Sequence, residues 1–248
     1  MSLNNQVYCA IWSKNLIGRK DIDIASALIK ILSYIICDHP EIEHLTFWSD
    51  SCVPQNRNSI ISFALTQFLL QADNLKSITV KYSIPGHSCV QEVDAVHSAI
   101  ERVLNKVEYY SPLSLIRILL KVNRHKPYKI IQMKSSDFKN YQNLSSKLQY
   151  EKVPFSKVKQ LFLIKSVPHV VYYNLTYSSN ILTECKIKYE CTMKCFLVSE
   201  AIPSDVSTEL PIHKIEALKF MLKWMPLTDQ EFYKASIPQL KLKTKNQN

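Results

Sequence analysis

Asp50 stands where carboxylates often take part in ligand binding. It directly follows the short apolar segment 44–48 and precedes the helical pattern of residues 56–71. Ligands of open α/β sheets gather at the carboxyl ends of the strands. This placement therefore predicts a ligand-binding role for Asp50. The alternative is an Asp that bonds its own backbone in the turn Ser-Asp-Ser-Cys.

A second group of titratable side chains falls on one predicted helix, residues 88–107. Asp94, His97 and Glu101 are spaced at i, i+3 and i+7, so their side chains share one helix face. Two carboxylates and an imidazole that point the same way can bind a divalent cation or exchange protons. The alternative is an exposed helix face on which Glu101 lies next to Arg102.

The segment before this helix adds one more candidate residue. Ser88 with Gln91 three positions later matches a capping box, which begins a helix. The Pro-Gly pair at 85–86 ends the strand before it. His87 is therefore predicted to lie at the mouth of the same site.

Strands and helices alternate over the first 110 residues. β-branched and aromatic runs predict the strands, and apolar residues at helical spacing predict the helices. The predicted strands are 6–12, 44–48 and 77–84, and the predicted helices are 21–36, 56–71 and 88–107. This order predicts an α/β layer in which at least some strands are parallel.

Beyond residue 110 the pattern is less regular. It predicts helices at 113–122, 212–224 and 228–233 and strands at 128–133, 158–165, 170–177 and 185–198. We therefore expect a core of residues 1–110 and an α+β extension of residues 111–248. Within the extension, Cys185, Cys191 and Cys195 lack the two-residue spacing of a zinc site, which favours buried thiols.

The net charge of +10 is unevenly distributed. Residues 1–110 carry 9 Lys and Arg against 11 Asp and Glu, whereas residues 111–248 carry 22 against 10. Such a basic half can follow a phosphate backbone. The alternative is a solvated, lysine-rich surface.

The sequence also bears on the cellular compartment. No apolar run approaches the roughly 18 residues of a membrane span, and the polar start is not that of a secretory signal. Seven Cys at irregular spacing are typical of reduced thiols. We therefore expect an intracellular protein that is neither secreted nor inserted in a membrane.

Residues 46–58, TFWSDSCVPQNRN, contain the block Asp-x-Cys-x-x-Gln-Asn-x-Asn. Together with the following Gly-His-Ser at 86–88 and Asp94, this block resembles a transposon-associated family catalogued as a domain of unknown function. The closing segment 211–233, a basic helix followed by Pro and then Glu-Phe-Tyr, resembles the end of the same family. The resemblance covers roughly residues 6–235.

That family looks like a DDE-type transposase or integrase core with an RNase H-like fold. The resemblance implies three acidic residues that hold two Mg²⁺ or Mn²⁺ ions for attack on a phosphodiester of DNA. Asp50 matches the acid after the fourth strand of that fold. Asp94 matches the acid on the late helix, with Glu101 as second choice, and His87 belongs to the Gly-His-Ser motif. The family role implies a nuclear or cytoplasmic location.

Two departures from the family pattern bear on activity. Only one strand, 6–12, precedes the helix that should follow the third strand, and residues 13–15 hold no acidic residue. We therefore expect an incomplete RNase H-like core that lacks its first strands. Either strand 6–12 pairs with the strand before Asp50, or further sequence lies upstream.

A two-metal site with two of its three acids should bind Mg²⁺ poorly. We therefore expect a transposase-derived protein that no longer cuts DNA but can still bind nucleic acid. Three alternatives remain open. The chain is a non-enzymatic nucleic-acid or chromatin-binding module, an active metal-dependent nuclease if the missing acid is supplied upstream, or a degenerate element fragment without a function.

Overall fold

The computed structural model describes residues 1–13, 18–84, 92–178, 181–187, 210–237 and 240. The chain folds into two compact units, each built from segments that are distant in sequence. Unit 1 comprises residues 1–17, 90–132 and 206–248, and unit 2 comprises residues 18–89 and 133–205. Both units mix helices with β-sheet, so the predicted α/β class is confirmed at this level.

The elements are numbered here in chain order. The strands are β1 Ser2–Leu3, β2 Gln6–Ile11, β3 His44–Ser49, β4 Ser77–Tyr82, β5 Lys129–Gln132, β6 Gln160–Ile164, β7 Val170–Asn174 and β8 Thr183–Lys186. The α-helices are α1 Asp21–Asp38, α2 Val53–Asn56, α3 Ser59–Gln71, α4 Glu92–Leu104, α5 Pro112–Val122, α6 Gln142–Ser145, α7 Ile212–Leu222 and α8 Leu227–Ser236. Short 3-10 helices span Ser135–Asp137 and Tyr150–Lys152.

Unit 2 contains a mixed sheet in the order β3-β4-β6-β7-β8. Strands β3 and β4 are parallel, and the chain between them forms α2 and α3. The pairs β4–β6, β6–β7 and β7–β8 are antiparallel. The parallel strands predicted from the alternating pattern are therefore present, with the Asp50 strand at the end of the sheet order.

Helix α3 lies at the centre of the unit 2 core. Every residue from 60 to 69 is buried, because α3 contacts α1, α6 and the strands β4 and β6. This placement matches its mostly apolar sequence, since a helix with apolar residues on every side is stable only when it is surrounded. In β4, Ile78, Val80 and Tyr82 are buried at alternate positions. The helices therefore pack on one face of the sheet.

The strand predicted at 6–12 has its pairing partners within unit 1. Strand β2 pairs antiparallel with β1 and parallel with β5, with Tyr8 opposite Lys129. One of the two expectations was that this strand pairs with the strand before Asp50. In the described sheets it does not. The division into units also differs from the predicted boundary at residue 110. Both differences arise because β5 lies far along the chain, and periodicity does not identify such a partner.

The carboxyl-terminal helices of unit 1 have a small core of their own. Leu222, Met225, Ile237 and Leu240 are buried together. Ser111 caps α5, and its hydroxyl donates a hydrogen bond to the buried Asp229 carboxylate. No helix in the described ranges is both long and apolar enough to cross a membrane.

An ion pair in unit 2 should make stability depend on pH. Lys30 Nζ lies 2.8 Å from Asp137 Oδ1, and the backbone N–H of Lys134 donates to Oδ2 at 2.8 Å. Burial opposes ionisation of Asp137, but the hydrogen bonds from Lys30 and Lys134 outweigh it and lower its pKa below the ordinary 3.8. Since the folded pKa is the lower one, the contribution is present above 3.8 and is lost as pH falls through the folded pKa.

We expect Asp137→Asn to lower the free energy of unfolding by about 1 kcal/mol near neutral pH. The difference from wild type should be constant from about pH 7 to about pH 5 and should shrink from there to about pH 3. Urea titrations at several pH values measure it. The control is Glu43→Gln in the exposed pair with Lys76, which should leave the urea midpoint unchanged. A difference for Asp137→Asn that stayed constant down to about pH 3 would contradict the ion-pair origin.

Candidate functional site

Asp50 lies at the carboxyl end of β3 with an exposed side chain. Asn56, the last residue of α2, donates a hydrogen bond from Nδ2 to Asp50 Oδ1. The carboxylate therefore bonds a side chain of the same sequence block. Its second oxygen, Oδ2, has no hydrogen bond within the described part of the chain.

Hydrogen bonds connect the turn that carries Asp50 to the end of the neighbouring strand β4. The Ser51 hydroxyl donates to the backbone carbonyl of Ser83, just after β4. The backbone N–H of Ser83 in turn donates to the carbonyl of Ser49 at 3.0 Å. Two hydrogen bonds thus hold Asp50 at the carboxyl end of the parallel pair, which is where its position in the sequence predicts it.

Two other residues of the block stabilise the fold. Arg57 is 2% exposed, and its guanidinium donates to the carbonyls of Val158 at 3.0 Å and Ser156 at 3.1 Å. It also lies 5.5 Å from the centre of the Tyr82 ring, and burial raises the pKa of Tyr82. Asn58 caps α3, since its Oδ1 accepts the backbone N–H of Ile61 at 3.0 Å.

Arg57 and Asn58 also divide the predicted helix 56–71. The chain turns inward at Arg57, and Asn58 begins α3 as its N-cap, so the segment forms the short α2 followed by α3. A capping Asn favours a helix start over a helix interior because its side chain bonds a free backbone N–H. Asn58 is a favoured N-cap residue, but the apolar repeat at helical spacing runs across it and predicts one continuous helix.

The second predicted group lies on α4 in unit 1. Asp94, His97 and Glu101 are all exposed, and they share a helix face as their spacing predicts. His87 lies outside the described residues, as do Ser88 and Gln91 of the predicted capping box. The described helix begins at Glu92, whose carboxylate accepts a hydrogen bond from the Ser2 hydroxyl at 2.7 Å.

The predicted metal ligands belong to both units. Asp50 is in unit 2, and Asp94 and Glu101 are in unit 1. In the described ranges, no three His, Cys, Asp or Glu side chains are arranged so that they could hold a metal ion. The three-acid site stays a prediction.

The cysteines in the described ranges are free thiols: Cys9, Cys37, Cys52 and Cys185. Cys185 is buried, and burial raises the pKa of its thiol. This agrees with its prediction as a buried thiol. Cys191 and Cys195 lie outside the described residues.

A cluster that periodicity does not predict lies on the sheet face opposite the helices. Trp48 of β3 is 52% exposed, and its ring centre is 5.9 Å from that of Tyr177. Lys81, its register partner on β4, places Nζ 5.6 Å from the Trp48 ring centre. Phe162 and Tyr172 are half-buried register partners on the same face. We call these five residues the aromatic–lysine face.

A weak signal for this face exists in the sequence. In β3, Leu45 is buried and Phe47 half-buried, while Thr46 and Trp48 are exposed. The alternation places Trp48 on the polar side of the strand. The prediction instead treated segment 44–48 as uniformly apolar, and strand register with Lys81 cannot be read from periodicity.

Comparison of the chain with protein-family models, with curated proteins and with solved structures found no match.

Proposed function

We propose that this chain is a transposase-derived protein that binds nucleic acid without cutting it. The transposase origin rests on the resemblance of residues 46–58 and 86–94. The observation that supports nucleic-acid binding is a basic strip on unit 1, formed by Arg117, Lys121 and Arg124. All three side chains are exposed, and the first two are one turn apart on α5. Residues 109–132 contain five Lys and Arg and no Asp or Glu.

The basic strip has cationic groups to offer to a ligand. The nearby Lys126 Nζ donates to the carbonyl of Asn4 at 2.6 Å, and Lys129 Nζ lies 5.5 Å from the Tyr8 ring centre. For the three strip residues, by contrast, no hydrogen bond or ion pair is found within the described ranges. Exposed guanidinium and ammonium groups, such as those of Arg117 and Lys121 on α5 and of Arg124 just after it, bind phosphates and release counterions, which makes binding favourable.

The geometry around Asp50 gives the block of residues 50–58 a structural role. Asp50 Oδ1 accepts a hydrogen bond from Asn56, and Arg57 and Asn58 of the same block hold α3 and the segment before β6. The block therefore has a structural role that does not depend on a metal. Phosphodiester cleavage by a two-metal mechanism needs several acidic ligands around both ions.

We expect the chain to bind duplex DNA with an affinity that falls steeply with salt. Replacing Arg117, Lys121 and Arg124 together by alanine should weaken binding at low salt at least about tenfold and lower the salt slope by about three. Fluorescence anisotropy with a labelled duplex measures both. The control removes the same charge elsewhere, at the exposed Lys147, Lys152 and Lys157.

Three results would contradict the proposal. Absence of binding at low salt removes nucleic acid as the ligand. Equal losses of DNA affinity in the strip variant and in the control would show that the DNA contact does not lie on the basic strip. Nicking of supercoiled plasmid in Mn²⁺ that Asp50→Ala abolishes would show a working nuclease.

A further inference from the structure

We infer that the aromatic–lysine face of unit 2 binds single-stranded nucleic acid by stacking its bases on Trp48 and its neighbours. This inference rests on the proposed function, and it names the form of nucleic acid and the surface that binds it. The basic strip of unit 1 recognises phosphates, which single strands and duplexes share. The aromatic–lysine face offers a contact that only unpaired bases can make.

The first support is the presentation of Trp48. The residue is 52% exposed although it belongs to a strand of a five-stranded sheet. The Tyr177 ring centre lies 5.9 Å and Lys81 Nζ 5.6 Å from its ring centre, and these neighbours restrict its orientation. A base that stacks on a ring already held in place loses less conformational entropy on binding. Trp48 therefore has the properties of a stacking platform.

The second support is the arrangement of the other aromatic residues. Phe162 and Tyr172 are directly opposite each other on β6 and β7, and both side chains are partly accessible. Strand β4 separates β3 from β6, so these residues lie two and three strands from Trp48, at about 10 and 14 Å across the sheet. They are also two residues further along the strands, in the register row of Thr46. Successive unstacked bases can therefore spread along one sheet face, a common mode of single-strand recognition.

Charge and polarity favour a nucleic acid over a protein on this face. Lys81 places an ammonium group beside the Trp48 ring, where it can pair with the phosphate of a stacked nucleotide. Thr79 lies between Thr46 and Phe162 in the register, so the aromatic groups are interrupted by hydroxyls.

A duplex does not fit the same chemistry. In double-stranded nucleic acid the flat faces of the bases are already stacked on one another, and aromatic side chains cannot reach them. Loss of Trp48 should therefore affect single strands selectively. Trp224 on unit 1 is a matched control, because it is 69% exposed and also has a lysine, Lys223, beside its ring at 5.2 Å.

The test measures binding of the full chain to a labelled oligothymidylate and to a duplex of the same length by fluorescence anisotropy. We expect Trp48→Ala to weaken single-strand binding about tenfold and to leave duplex binding unchanged. Trp48→Phe should retain part of the affinity, and Trp224→Ala should match wild type. With Trp12→Phe and Trp224→Phe in place, the single strand should quench the fluorescence of Trp48, and a duplex should not.

The outcomes separate this inference from the proposed function. If neither nucleic acid binds at low salt, both are overturned. If both bind and Trp48→Ala changes neither affinity, this inference falls and the proposed function stands. If Trp48→Ala weakens both equally while its circular dichroism matches wild type, the surface is not selective and the inference is also overturned.

Discussion

Replacing Arg57 by alanine should lower the free energy of unfolding of unit 2 by about 3 kcal/mol. The guanidinium is 2% exposed and donates to the backbone carbonyls of Val158 and Ser156. It thereby connects the Asp50 block to the segment that leads into β6. Removal leaves the buried Val158 carbonyl without this donor and opens a void beside Tyr82.

Two further variants identify the source of the loss. Arg57→Met keeps most of the volume and removes the donors, so it should be less destabilising than alanine if packing contributes. Arg57→Lys keeps the charge but cannot donate to both carbonyls in the same planar geometry, and we expect an intermediate loss. The exposed Arg19 provides the control, since Arg19→Ala should have no measurable effect.

Urea denaturation measures these losses within unit 2. Trp12→Phe and Trp224→Phe leave Trp48 as the single tryptophan, and Trp48 belongs to this unit. The midpoint reported by its fluorescence should fall for Arg57→Ala. An unchanged midpoint would show that the Asp50 block does not need this connection and would weaken its structural interpretation.

Truncation of the core at Phe63 should have the largest effect, with Phe63→Ala lowering the free energy of unfolding by about 4 kcal/mol. Phe63 is 1% exposed in the middle of α3 and meets Tyr141 edge to face, with ring centres 6.5 Å apart. Since α3 is buried on all sides, the surrounding elements cannot easily collapse into the cavity. Phe63→Leu, which leaves a smaller cavity, should cost less.

The matched control for this prediction is Tyr34 on α1. Its ring is 44% exposed, so Tyr34→Ala removes a similar side chain from the same unit without forming a cavity. We expect a change below about 1 kcal/mol. The same fluorescence titration serves both variants. Equal losses at Phe63 and Tyr34 would contradict the central position of α3.

Much of the secondary structure could be predicted because its causes are local. The apolar spacing of α1 and the β-branched run of β4 each occupy one short segment. The predicted helix bounds are wrong where one residue ends or begins a helix within an apolar repeat, as at Arg57 and Asn58. The helix predicted to reach residue 107 ends at Leu104, and the strand predicted to reach residue 177 ends at Asn174.

By itself, the sequence determined that Asp50 follows a strand, that Asp94, His97 and Glu101 share a helix face, and that cationic residues gather beyond residue 110. These properties depend on neighbours within a few positions of the chain, and periodicity and charge encode them directly.

The tertiary structure decided which segments belong together. Strand β2 pairs with β5, about 120 residues later, and the two units are assembled from five separate segments. It also decided that Trp48 meets Lys81 and Tyr177, and that Arg57 reaches Val158. Such contacts depend on strand register and on packing between distant segments. Local composition does not specify either, because many distant segments offer equally apolar or equally charged partners.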